Sequence, residues 1–176
     1  MQNHLSKTLF ALALTIVSSL LTADRGLADD APVLLTIHAA KDTPPIELTD
    51  ADLIAMDRES FATSTLWTTE KHSFSGPSLH QVLVQVGAEP SVPVELVAAN
   101  DYAVTVGPEM IDKDFPIIAN RLDGEPFSIR EKGPLWLMFP FDQEPGYKTE
   151  VHYSLSVWQL TDIRLGSSGE GLDAGN

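Results

Sequence analysis

Apolar residues along this chain fall mostly in short runs bounded by glycine, proline and acidic residues. That is the pattern of strands, not of long helices. Val33-Leu-Leu-Thr-Ile-His-Ala39 is rich in β-branched side chains and predicts a first strand. Residues 41–45 follow as a turn. Thr49 then caps a short helix: Asp50 and Asp52 sit where the helix dipole favours anions, and Leu53, Ile54 and Met56 form its apolar side. Residues 61–69 read as a strand rich in Thr, Ser, Leu and Trp. Ser78 caps the clearest helix, with Leu79, Val82, Leu83 and Val86 at helical spacing and Gly87 at its end.

The second half continues in the same way. Residues 94–99 and 103–106 predict two strands, with Asn100-Asp101-Tyr102 in the tight loop between them. Residues 108–114 predict a short helical turn. Residues 117–122 and 125–129 flank Asp123-Gly124, whose tolerance of positive φ signals a type I′ hairpin. Leu135-Trp-Leu-Met-Phe139 is a continuous apolar run between prolines, as a buried strand requires. Residues 153–165 read as the last strand. No repeat or internal linker interrupts the order. It predicts an α+β fold: one domain over 29–165, a mixed β-sheet with a few short helices.

Composition changes this picture at the ends. Hydrophobic residues make up 43% of the 176 and charged residues 20%, which is globular. Residues 1–28 read as a secretory signal peptide: Lys7 gives a positive start, residues 8–21 are apolar, and small residues Gly26 and Ala28 precede the cleavage point. The apolar run is shorter than the roughly 20 residues a membrane-spanning helix needs, so a soluble, exported, periplasmic protein is expected. Residues 166–176 read as a flexible acidic tail. The formal charge is −14; the leader takes away Lys7, Arg25 and Asp24, two positive charges and one negative, leaving −15. Such a surface repels nucleic acid and suits either a basic protein partner or plain solubility.

Familiar catalytic constellations are missing. The histidines after the leader, His38, His72, His80 and His152, lack zinc-ligand spacing. There is no Gly-x-Ser-x-Gly nucleophile and no Gly-rich loop opening a helix to cradle phosphate. With no cysteine, the chain forms no disulfide and performs no thiol redox chemistry.

A set of short motifs points elsewhere. Phe74-Ser-Gly-Pro-Ser-Leu79, Val97-Ala-Ala-Asn-Asp-Tyr102, Asp123-Gly124, Gly133-Pro-Leu-Trp136 and Ser156-Val-Trp158 occur in an order that resembles the molybdopterin-binding domain of the sulfite oxidase family. The resemblance covers about residues 61–165. It implies a sulfite-oxidase-like fold, and it comes with three departures. The family's molybdenum-ligating cysteine should fall on residues 61–69, near Ser64, and none is there. Two cations that grip the cofactor's phosphate are replaced by Trp136 and Trp158. An indole cannot bind a phosphate dianion as they do, and no thiolate supplies the soft ligand for the metal.

These departures fit a pterin without metal, with molybdopterin as the alternative. The chain thereby resembles the family's small periplasmic pterin-binding members that report to membrane diguanylate cyclases. That implies a non-enzymatic ligand sensor whose partners are a small-molecule pterin and the periplasmic domain of an inner-membrane signalling protein. The rival activity is a molybdopterin-dependent oxidoreductase. A pterin needs an aromatic wall and an acceptor pair for its amino and ring N–H edge. Asp101 is the candidate acceptor, with Asn100 beside it. Trp136 and Trp158 are candidate walls with Trp67 and Tyr102 behind them, and Arg130 is a candidate contact. Each residue has a plainer use: the tryptophans as core, Asn100 and Asp101 as turn formers, Arg130 as a solvated edge.

Overall fold

A computed structural model of the protein describes residues 31–39 and 43–166. The expected leader at 1–28, the first two residues of the turn at 41–45 and nearly all of the tail at 166–176 lie outside the described residues.

Among the described residues, ten short strands and three short α-helices are laid out in the order β1 (Val33–His38), β2 (Ile46–Thr49), α1 (Asp50–Ala55), β3 (Glu59–Thr63), β4 (His72–Gly76), α2 (Leu79–Gln85), β5 (Val94–Ala98), β6 (Ala103–Val106), β7 (Ile117–Ala119), β8 (Arg121–Leu122), β9 (Trp136–Met138), α3 (Glu150–Leu155) and β10 (Leu160–Leu165). Five strands make the main sheet, in the order β2-β1-β10-β5-β6. β1 pairs with β10 in parallel, while the other pairs are antiparallel, so the sheet is mixed as expected. β3, β4 and β8 form a second sheet, and β7 pairs with β9. Leu35, Ile37, Leu96 and Ile163 of the main sheet join Phe74, Ile118, Trp136 and Phe139 in one buried core.

The predicted caps hold. Thr49 and Asp52 form a reciprocal capping box at α1. Ser78 Oγ accepts from the Gln81 amide at 3.0 Å, and Gly87 follows α2 with a φ of +73° that its missing side chain permits. Asp123 and Gly124, at φ 51° and 90°, close a tight turn in which Leu122 and Glu125 exchange backbone hydrogen bonds.

Four expectations change. The strand over 61–69 stops at Thr63, because Thr65 Oγ1 accepts from the amides of Trp67 and Thr68 and bends the chain into a loop. The strand over 153–165 is two elements: α3, capped by Thr149, and then β10. Beyond the Asp123-Gly124 turn no strand forms over 125–129, where Pro126 removes a donor; β8 pairs with β4 instead. β2 and β4 are strands the apolar pattern does not announce.

Candidate ligand cleft

One cleft gathers residues from five segments. Trp67 comes from the loop after β3, Ala98 from the end of β5, Asn100 and Tyr102 from the β5–β6 turn, Tyr153 and Ser154 from α3, and Ser156, Val157 and Trp158 from the segment between α3 and β10. Its volume is about 360 Å³.

The turn is shaped by its own residues. Asp101 takes a left-handed φ of 65° and its amide donates to Ala98 O at 3.0 Å. Asn100 Oδ1 accepts from the Tyr102 amide at 3.2 Å, an Asx-turn. Tyr102 then leaves the sheet with its ring 45% exposed, and its hydroxyl donates to Ser154 O at 3.0 Å, tying the turn to α3.

The floor is aromatic. The chain's three tryptophans meet here: Trp67 lies 5.8 Å from Trp136 and 5.5 Å from Trp158, and Trp136 and Trp158 are 6.3 Å apart, all centroid to centroid. Tyr153 stands edge-on to Trp67 at 5.9 Å. Such pairs add about 0.5–1.5 kcal/mol each beyond buried area and hold the rings in fixed orientations. Lys132 Nζ sits 5.3 Å from the Trp158 ring centroid, and the Lys132 carbonyl accepts from the Gln159 amide.

None of the lining residues carries a formal charge. The polar side-chain groups are the Asn100 amide, the Tyr102, Tyr153, Ser154 and Ser156 hydroxyls, and the indole N–H of Trp67 and Trp158. Three of the hydroxyls are already engaged as donors, Tyr102 to Ser154 O, Ser154 to Val151 O and Ser156 to His152 O. The arrangement suits a flat, uncharged heteroaromatic ring that offers donors at one edge.

The sequence candidates divide. Trp67, Asn100, Tyr102 and Trp158 line the cleft. Trp136 does not: it is 1% exposed in β9, and its indole N–H donates to Ser156 O at 3.1 Å, so it supports the lining from the core. Asp101 is exposed at the tip of the turn and is not part of the lining, because the left-handed residue sits at the turn's outer corner. Arg130 is exposed on the 3₁₀ turn Ile129–Glu131 and is likewise outside it. Tyr153, Ser154, Ser156 and Val157 line the cleft without having been singled out. Thr149-Glu150, a cap followed by an acid in the first turn, is the signal that would have placed Tyr153 and Ser154 on a helix.

The residues present do not fit molybdopterin. No thiol exists in the chain. At the position expected for it, Ser64 donates its hydroxyl to Asp142 Oδ1 at 2.8 Å. Among the described residues no three His, Asp or Glu side chains converge as a metal site would require. The two positions expected to bind phosphate are indoles, one buried and one lining the cleft.

Neither known family models nor curated proteins match the chain. Among solved structures it is similar to the sulfane dehydrogenase SoxCD from Paracoccus pantotrophus, with a TM-score of 0.53 and 14% identity over 74% of this chain and 37% of that one. The fold is therefore α+β with a distant relationship to the sulfite-oxidase-like fold. The chain spans little more than a third of that protein's length.

Proposed function

We propose that this protein is a periplasmic, non-enzymatic pterin-binding protein that reports ligand to the periplasmic domain of a membrane partner such as a diguanylate cyclase. One observation carries the reading: a fold distantly like that of a sulfane dehydrogenase encloses a cleft of aromatic, uncharged residues, with no thiolate in the chain. Its volume of about 360 Å³ falls in the range of roughly 300–1,000 Å³ that small-molecule sites occupy. The pterin ring stacks against Trp158 and Trp67. Its amino and ring N–H edge finds acceptors in Asn100 Oδ1 and the neighbouring hydroxyls. The export segment at 1–28 brings the protein to the periplasm, where a change at the cleft rim on binding is available to a partner.

The fold likeness to a dehydrogenase favours a second reading, a molybdopterin-dependent oxidoreductase with oxygen ligation only. Protein exported in a molybdenum-replete host separates the two. We expect it to begin near Asp29, to release a fluorescent pterin on denaturation, and to contain no stoichiometric molybdenum. About one molybdenum per chain and no pterin would overturn the reading.

A further inference from the structure

The loop that presents Trp67 to the cleft, residues 64–71, has little regular structure of its own. What fastens it is one carboxylate. Asp142 Oδ2 accepts from the Ser64 amide at 2.9 Å, and Oδ1 accepts from the Ser64 hydroxyl at 2.8 Å. Lys71, at the far end of the loop, brings Nζ to 3.2 Å from Oδ2. The Asp142 amide in turn donates to Thr63 Oγ1 at 3.1 Å, where β3 ends. Both ends of the Trp67 loop are thus held by the same residue.

The carboxylate also reaches the other side of the lining. Lys148 Nζ donates to Oδ1 at 3.0 Å. Lys148 immediately precedes Thr149, the cap of α3, and α3 supplies Tyr153 and Ser154 to the cleft. The Asp142 side chain is 19% exposed, so its bonds are partly shielded from water. The Ser64 amide, Lys148 and the Ser64 hydroxyl hold its carboxyl far below the usual carboxylate range, and the clamp is ionised at every physiological pH.

We propose that Asp142 is a positioning residue that sets the cleft, clamping the Trp67 loop to the entry of α3 without touching ligand. At the position the resemblance assigns to a metal-binding thiolate, this chain uses a serine hydroxyl to bind a carboxylate. Two anions there would repel, whereas a hydroxyl donor and a carboxylate attract. The inference rests on the pterin reading for the identity of the ligand, but its structural part stands apart from it.

The test has two readouts on the full-length exported protein, with Asp142→Ala and the milder Asp142→Asn. The first is hydrogen exchange without ligand. Peptides over 64–71 are expected to exchange faster in Asp142→Ala while those over β5 and β10 do not change; unchanged exchange over 64–71 overturns the clamp whatever the ligand is. The second is a double-mutant cycle with Trp67→Leu, titrated with unsubstituted pterin (2-amino-4-oxopteridine). Asp142→Ala alone is expected to weaken binding roughly tenfold, and to add little once Trp67 is gone, because the two act on one contact. Full additivity would mean Asp142 acts on the whole fold and would overturn its positioning role. Wild-type protein that fails to bind pterin while the loop loosens as expected would overturn the pterin reading and leave the clamp standing.

Discussion

Trp136 and Trp158 look alike in the sequence: each stands where a family cation is expected, and each follows an apolar residue. The structure separates them by their backbones. Trp136 lies within β9, with Leu137 beside it donating its amide to Val157 O at 2.8 Å, and its ring is driven into the core against Phe74. Trp158 is bridged to Trp136, yet its own side chain is only half-buried and lines the cleft. Trp136→Arg should therefore bury an unpaired guanidinium and cost upwards of about 3 kcal/mol; thermal melts check it, and a near-normal Tm would remove Trp136 from the core. Asp101 is the reverse case, a residue whose type suits a pterin better than its position does. Asparagine tolerates the same left-handed backbone, so Asp101→Asn should leave both Tm and pterin affinity essentially unchanged in paired melts and titrations. A roughly tenfold loss of affinity would bring Asp101 into the site. Asn100 and Tyr102 line the cleft, while Asp101 between them, at a φ of 65°, does not; sequence chemistry alone does not separate the three.

Among the elements, caps were legible and strand lengths were not. Thr49 and Ser78 announce their helices because each is followed by a run of correct period. Thr149 does the same for α3, but Tyr-Ser-Leu-Ser-Val-Trp after it alternates as a strand would, and the two periods compete. Tertiary contact settles the matter: the imidazole of His152 packs edge-on against Phe139 at 4.9 Å and Tyr147 at 5.0 Å, and its Nδ1 meets Thr149 Oγ1 at 2.8 Å. Burial holds this imidazole below its ordinary value of 6.5. The unfolded chain then takes up a proton near 6.5 that the folded chain refuses, so the stability His152 contributes is lost as pH falls through about 6.5. Melts between pH 8 and 5 should show His152→Asn losing less stability on acidification than the wild type. Identical slopes would mean that His152 titrates normally in the folded protein.

At the scale of the whole molecule, the two Gly-Pro motifs within the family resemblance turn out to be structural. A side chain at Gly76 would overlap the backbone of Ile118, and one at Gly133 would overlap the backbone of Phe127. These glycines let β4 and the segment before β9 approach their neighbours closely, which is why such motifs track a fold more faithfully than an activity. The mixed sheet was legible from the short apolar runs. Its parallel β1–β10 pair, which sets Thr36 beside Asp162 and His38 beside Arg164, was not, since nothing local encodes a pairing between opposite ends of the domain. The cleft depends on this topology, because β10 carries the chain back from Trp158 into the sheet beside β5. In the function proposed above, this cleft holds a pterin through its aromatic, uncharged lining. Titration of the purified protein with unsubstituted pterin, read by tryptophan fluorescence beside Trp158→Ala, tests it most directly. Saturable one-to-one quenching is predicted, weakened at least roughly tenfold in Trp158→Ala with Tm little changed. Absence of saturable quenching in the wild type, or equal affinity in the variant, would contradict the claim.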